Sequence, residues 1–183
     1  MIYFVRHGET VFNATGKWNG FVDTTLTAKG AKQAVDLGRK IKDVKFDLVM
    51  CSPALRARQT CEMILASRPY ELRPQVITDS RIMEWYSGDY EGYEWDKRFC
   101  DDFFGKRELY DFSSVESFKN VKERIHGFLD ELRTKYKNKS ILIVAHGGIG
   151  RVVNAYFNGM PSSGLYTDVH ELVNCELIIF DKL

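Results

Sequence analysis

Two apolar runs in this chain of 183 residues break off in the same way. Met1-Ile2-Tyr3-Phe4-Val5 gives way to Arg6-His7-Gly8, and Ile141-Leu142-Ile143-Val144-Ala145 gives way to His146-Gly147-Gly148. An apolar run with no polar alternation suits a strand buried on both faces, as in parallel sheets covered by helices. In such a sheet ligands bind in the crevice outside the carboxyl ends of the strands. Two strands that each close on a histidine and a glycine turn therefore narrow the fold to α/β. They also bring two imidazoles within reach of one ligand.

Further apolar runs at 46–51, 75–78 and 175–181 alternate with segments of helical period, which predicts βα units. One helix starts at Thr27, with Ala28, Ala31, Ala34, Val35, Leu37 and Ile41 at helical intervals. A second is expected from about Pro53 to Ala66, with Ser52 as its cap and proline in its first turn. A third runs from about Ser117 to Tyr136, and a short fourth follows Gly147-Gly148 as far as Tyr156. The fold expected is a three-layer α/β sandwich, a mostly parallel central sheet flanked by helices. Residues 1–183 read as one domain with an aromatic-rich lid insertion at about 85–115, where ten of the 28 residues from Trp85 to Phe112 are aromatic. Trp85, Tyr86, Tyr90, Tyr93, Trp95, Phe99, Phe103 and Phe104 could line a pocket, although packing the insertion onto the sheet is the plainer use of them.

A formal net charge of +1 gives no reason to expect a nucleic acid or an anionic membrane as partner. Any anionic substrate must be drawn by a local cluster of positive groups. Cys51, Cys61, Cys100 and Cys175 have no metal-ligand spacing, and Cys51 and Cys175 read as small buried apolar residues. Met1 already belongs to the first strand, and no apolar stretch approaches the ~20 residues of a membrane helix. A reducing, cytoplasmic setting is expected.

Arginine beside histidine at a strand end suits a phosphate, because a guanidinium grips two oxygens at once. It also discourages protonation of the neighbouring imidazole. Alone, His7 also admits the reading of a satisfied strand-end histidine. His146-Gly147-Gly148 changes the balance, since the N–H groups opening the next helix would face an anion. Arg56, in the first turn of the helix after the second strand, faces the same edge, whereas Arg58 lies about 200° around that helix. Glu84 and Glu91, near the turn at Gly88, are rival carboxyl groups for moving a proton. His126 reads as exposed and His170 as structural.

These motifs together resemble the histidine phosphatase superfamily, the phosphoglycerate mutase-like fold. The resemblance runs through Arg6-His7-Gly8-Glu9-Thr10, Asn13, Gly20-Phe21-Val22-Asp23 and Leu26-Thr27. It continues in Ser52-Pro53 with Arg56-Ala57 and Gln59-Thr60, in Glu84, Gly88 and Glu91-Gly92, and in Ala145-His146-Gly147-Gly148. The blocks keep the family's order over most of the chain, with 93–115 poorly matched. The resemblance implies His7 as the phosphate-accepting nucleophile and Glu84 as the proton donor. Arg6, Arg56 and His146 would complete the phosphate pocket. Asn13 and Gly147 would add hydrogen bonds to the phosphoryl oxygens, with Asn19 and Gly20 bordering the site. It also chooses Glu84 over Glu91, which matches a structural glutamate of the family. Two steps through a phosphohistidine follow, with no metal and no cofactor.

Within the family the chain reads as a phosphatase of small phosphomonoesters. The alternatives are a phosphoglycerate mutase-type phosphotransferase and a catalytically silent phosphate-binding protein. Against the mutase, the chain has no Arg-Arg pair, and Ser87 stands where mutases have tyrosine. Against the silent protein, His7, Arg56 and Glu84 are all present. The partner expected is a small phosphoester, with a homodimer left open and nothing to select one ester over another.

Overall fold

The computed structural model describes residues 1–94, 98, 102 and 112–181. Strands β1 (Ile2–Arg6), β2 (Leu48–Cys51), β3 (Gln75–Thr78), β4 (Ile141–Ala145) and β5 (Leu177–Phe180) form one sheet in the order β3-β2-β4-β1-β5. The first four strands are parallel, and β5 runs antiparallel beside β1. The helices are α1 (Val11–Ala14), α2 (Ala28–Lys40), α3 (Leu55–Leu65), α4 (Phe118–Lys135) and α5 (Gly147–Asn158).

Successive side chains of a strand enter opposite faces, and here both faces are dry. Ile2, Phe4, Met50, Ile141 and Ile143 pack on one side with Val121, Ile125, Phe128 and Leu129 of α4 and with Ile149 and Val152 of α5. Val5, Val49, Cys51, Leu142 and Val144 pack on the other with Ala34 and Leu37 of α2 and Cys61, Ile64 and Leu65 of α3. That is the three-layer sandwich read from the sequence. Thr27 caps α2 by accepting from the Gly30 N–H at 3.0 Å, and Ser117 caps α4 by accepting from the Asn120 N–H at 3.2 Å.

Helix α3 departs from the expectation. It begins at Leu55 rather than Pro53, and its N-cap is Ala54. Ser52 continues the β2 ladder, donating its N–H to the Val144 carbonyl at 3.0 Å, and its hydroxyl is engaged with His146 at 2.7 Å. A serine so committed does not cap the helix.

The aromatic-rich stretch also divides. Trp85, Phe112 and Val115 belong to the core with Tyr90 packed against them, whereas Tyr86 and Tyr93 are exposed. Its two described edges thus serve the core. Trp95, Phe99, Cys100, Phe103 and Phe104 lie outside the described residues. Cys51 and Cys61 are buried free thiols, while Cys175 is half-buried in a turn with φ of 57°. His126 is half-buried against Tyr156 rather than exposed, and His170 bonds Glu176 at 2.7 Å. Among the described residues no helix is long and apolar enough to cross a membrane.

Two glycines press the end of β1 onto α2. A Cβ on Gly8 would lie 2.5 Å from the Gly30 carbonyl oxygen, and one on Gly30 would lie 2.0 Å from the Glu9 carbonyl oxygen. Both obstacles are backbone, so neither can swing aside. Gly127, on the exposed face of α4, has no neighbour within 4 Å of an added Cβ. Urea unfolding should therefore separate the two sites. Gly30→Ala should destabilise by about 2–3 kcal/mol through overpacking, and Gly127→Ala should stabilise by about 0.5–1 kcal/mol through helix propensity.

Candidate active site

The register of β1 on β4 pairs Arg6 with Ala145, and the His7 N–H continues it to the Ala145 carbonyl at 2.9 Å. The two histidines that follow these strands consequently stand at one level of the sheet. Their ring centroids are 5.3 Å apart, edge to face, and both side chains are buried. The neighbouring strand β2 brings Ser52 opposite Ala145, one residue before His146.

His7 Nδ1 lies 2.8 Å from the Gly8 carbonyl oxygen. A carbonyl can only accept, so the neutral ring carries its proton on Nδ1 and presents a lone pair on Nε2. Burial, reinforced by Arg56 and Arg6, holds the imidazole well below its ordinary pKa. His146 is shifted the same way, by burial first and then by Arg56, His7 and Arg6. Its Nε2 lies 2.7 Å from the Ser52 hydroxyl, while Nδ1 is buried with no hydrogen-bond partner.

Arg6 donates from Nη1 to the Leu172 carbonyl at 2.5 Å. Arg56 is fully buried and donates from Nη2 to the Gly20 carbonyl at 2.6 Å and the Asn19 carbonyl at 3.2 Å, and from Nη1 to the Val22 carbonyl at 3.2 Å. The carbonyls orient both guanidinium groups, and Arg6 Nη1 also pairs with Glu171 Oε1 at 3.4 Å. The Nε of each arginine is buried and unpartnered, as is His146 Nδ1. A buried donor left without an acceptor costs about 1–3 kcal/mol, so the two arginine Nε groups favour an acceptor-rich anion, and His146 Nδ1 joins them in the tautomer that accepts from Ser52 on Nε2.

Glu84 sits on the same ground. Its Oε2 accepts from the Gly148 N–H at 3.0 Å, and its Oε1 accepts from the Trp85 N–H at 3.1 Å. A Cβ on Gly148 would meet Glu84 Oε1 at 2.7 Å and Trp85 Cε3 at 2.9 Å, so a larger residue here would displace the carboxyl group. The sequence expectation that the Gly148 N–H faces an external anion is thus revised, because that N–H faces Glu84. Burial raises the pKa of Glu84, against the opposing pull of the two N–H groups, Arg56 and Arg6.

The remaining expected residues have structural duties as well. Asn13 Oδ1 accepts from the Thr10 N–H at 3.1 Å, which closes a capping box on α1. The Asn19 side chain is turned into its own loop, donating to Thr10 Oγ1 at 3.1 Å and Thr24 Oγ1 at 2.9 Å. Gly20 offers its carbonyl to Arg56, and Gly147 lies against the Arg6 guanidinium, 3.0 Å from Cζ to an added Cβ. Glu91 is not at the proton-transfer position. It gathers the N–H groups of Gly20, Phe21, Val22 and Ser87.

Three contributors had no role in the site on the sequence reading. Asn174 donates to the His7 carbonyl at 3.0 Å and to Asn13 Oδ1 at 3.3 Å. Its signal lay in the direction of β5, because an antiparallel neighbour of β1 begins where β1 ends. Thr60 Oγ1 accepts from the Gly8 N–H at 3.0 Å and donates to the Arg56 carbonyl at 2.7 Å, coupling the two site segments. Arg124 of α4 donates to the Met83 and Glu84 carbonyls at 2.8 and 3.2 Å. Nothing local distinguishes it from a surface arginine.

The sequence profile of the Histidine phosphatase superfamily (branch 1) matches residues 2–181. The chain is 35% identical over 149 residues to the uncharacterized phosphatase PhoE of Bacillus subtilis (strain 168), covering 80% of this chain and 71% of that protein. It is 29% identical over 177 residues to the adenosylcobalamin/alpha-ribazole phosphatase of Escherichia coli (strain K12), covering 90% and 82%. The solved structure of Bacillus stearothermophilus YhfR superposes with a TM-score of 0.83 at 26% identity, covering 96% of this chain and 88% of that one.

The burial of two neutral histidines makes stability depend on pH. The unfolded chain takes up their protons near pH 6.5 and the folded chain does not, so their contribution is full above that value and is lost as pH falls below it. Glu84, shifted upward, acts in the opposite sense, stabilising at low pH and losing that effect as pH rises above the ordinary carboxylate range. Urea titrations between pH 7.5 and 5.5 should show a shallower loss of stability for His146→Gln than for the parent, by up to about 1.4 kcal/mol per pH unit. Equal slopes would contradict the burial of a neutral His146.

Proposed function

The chain belongs to the histidine phosphatase superfamily, and from that membership we propose that it is a single-domain phosphatase hydrolysing small phosphomonoesters through a phosphohistidine on His7. The observation that carries this reading is that Arg6, Arg56 and His146, each with a buried side-chain nitrogen that lacks a partner, act electrostatically on a histidine whose Nε2 holds a lone pair or on one another around it. An oxyanion with three equatorial oxygens satisfies such donors.

In the first step the His7 Nε2 lone pair forms a bond to phosphorus as the bond to the ester oxygen breaks. Glu84, protonated because burial raises its pKa, passes its proton to the departing alkoxide. In the second step a water oxygen attacks phosphorus, its proton goes to the Glu84 carboxylate, and the N–P bond breaks to return neutral His7. Charge on the equatorial oxygens meets Arg6, Arg56 and His146 in both steps, so the cycle uses no metal ion. Asn13 and Gly147 border this phosphate position, and Asn19 and Gly20 shape it through the loop carbonyls that hold Arg56. The substrate expected on this reading is a small molecule.

Opposite shifts on the two reacting groups suit one another. A depressed histidine keeps its lone pair into mild acid, and a raised carboxyl keeps its proton toward neutrality. Against the mutase alternative stands the lack of an Arg-Arg pair in the sequence, and the silent alternative leaves the paired shifts without a purpose.

His7→Ala should lower kcat by at least about 10³-fold on every phosphomonoester while leaving the fold intact by circular dichroism. Glu84→Gln should lower kcat/KM by about 10²–10⁴-fold on an alkyl phosphate. On p-nitrophenyl phosphate, whose leaving group needs no proton, the loss should be far smaller. Activity should survive a chelator, and its acid limb should lie below about pH 6.5, the ordinary histidine value. Equal Glu84→Gln losses on both esters would remove Glu84 from the role of proton donor.

A further inference from the structure

Glu84 can serve as an acid only where its backbone puts it, and a charged pair beside it on α4 grips that backbone. Arg124 of α4 meets Glu116, just before the helix, with Nε 2.8 Å from Oε1 and Nη2 2.8 Å from Oε2. Two parallel bonds to one carboxylate fix the plane of a guanidinium as well as its distance. The other N–H groups are thereby aimed at the main chain. Nη1 donates to the Arg81 carbonyl at 2.5 Å and the Met83 carbonyl at 2.8 Å, and Nη2 donates to the Glu84 carbonyl at 3.2 Å. A guanidinium has five N–H donors, so none of them is left for solvent.

Glu116 holds the far side of the same segment. Its N–H donates to the Tyr86 carbonyl at 2.9 Å, and its Oε2 accepts from the Tyr86 N–H at 3.4 Å. Trp85 stacks on Phe118 of α4 with centroids 5.6 Å apart, and Arg81 pairs with Glu131 of that helix at 2.8 Å. Glu84 is thus held from both sides along the chain. Its carboxyl, in turn, accepts from the Gly148 N–H at the start of α5 and from the Trp85 N–H. Both bonds require the Glu84 backbone to stand at one place between α4 and α5. A segment released from α4 would let water reach the carboxyl and remove the burial that raises its pKa, leaving the downward pull of Arg56 and Arg6. Glu116 offsets the charge of Arg124, so the hold on Glu84 is chiefly geometric.

We propose that Arg124, braced by Glu116, is the positioning residue of the proton donor, fixing the backbone from which Glu84 reaches the leaving oxygen. The pair then governs which esters are turned over, because only basic leaving groups need the proton. The proposal rests on the phosphatase reading and on Glu84 as its acid, and it adds a determinant that lies outside the phosphate pocket.

The test compares kcat/KM for glycerol 1-phosphate and p-nitrophenyl phosphate across pH, with orthovanadate inhibition as a check on the phosphate pocket. The proteins are the parent, Arg124→Met, Arg124→Lys, Glu116→Gln, Glu84→Gln and the double variant Arg124→Met with Glu84→Gln. Arg124→Met should lose about 10–100-fold on glycerol 1-phosphate and no more than about threefold on the aryl ester, and Glu116→Gln should follow it in direction. Arg124→Lys keeps a charge for Glu116 without the planar fork, so its loss should fall between the parent and Arg124→Met. The basic limb of the glycerol 1-phosphate profile should move to lower pH in Arg124→Met, as a hydrated carboxyl regains its ordinary pKa. In the Glu84→Gln background Arg124→Met should cost nothing further on that ester. An unchanged glycerol 1-phosphate rate, equal losses on both esters, additive losses in the double variant or a parallel fall in vanadate affinity would overturn the proposal and leave the phosphatase reading standing. Loss of the fold in all the Arg124 and Glu116 variants would overturn it as well, making the pair a requirement of the core. A parent inactive on both esters would overturn the phosphatase reading itself.

Discussion

The alignment of β1 with β4 is the constraint on which the rest of the site depends. Hydrogen bonding in a parallel ladder fixes register residue by residue, so pairing Ile2 with Ile141 at the start also sets where the two strands end. A slip of one residue would turn every side chain to the opposite face. Ile2 and Phe4 would leave the layer that contains α4, and the histidines would part. The register is protected because both layers are dry and both faces are filled. The hydrophobic core thus holds the two imidazoles level.

Around that axis, the fold keeps charges where water cannot screen them. Arg56 is tethered through carbonyl oxygens, and Arg6 through the Leu172 carbonyl and the more exposed Glu171 carboxylate, so much of their positive potential remains available to an anion. The same potential and the same burial suppress protonation of His7 and His146. Burial also raises the pKa of Glu84, even with the first N–H groups of α5 nearby. One dry environment therefore prepares a base-like nitrogen and an acid-like carboxyl at neighbouring points. The free energy to build it comes from the core, which also explains the contacts at Gly8, Gly30 and Gly148 that leave no room for a methyl group.

Much of this was legible in the chain because period and punctuation carried it. Apolar runs without alternation marked β1, β2 and β4, and Thr27 and Ser117 marked helix starts. The His-Gly endings then pointed to one sheet edge, and the order of the motifs indicated the family. What was not legible depended on partners distant in sequence. Ser52 resembles a helix cap until β4 brings His146 to it. Arg124 resembles a surface residue until α4 packs over the segment that carries Glu84. Asn174 becomes visible only once β5 is known to run antiparallel. The Gly148 N–H, which by helix-dipole reasoning should face a ligand, instead receives Glu84, a contact that sequence order alone could not supply.

The claim at the centre of this account is that the Gly8 carbonyl fixes the His7 tautomer, so that Nε2 is the atom that receives the phosphoryl group. Rapid quenching during turnover of a slow ester, followed by peptide mass spectrometry and phosphorus–nitrogen NMR, reads that atom directly. The account predicts a phosphoryl group on Nε2 of His7 that forms and decays within the catalytic cycle. Phosphorylation at Nδ1 or on His146, or turnover with no phosphoenzyme at any time, would contradict it.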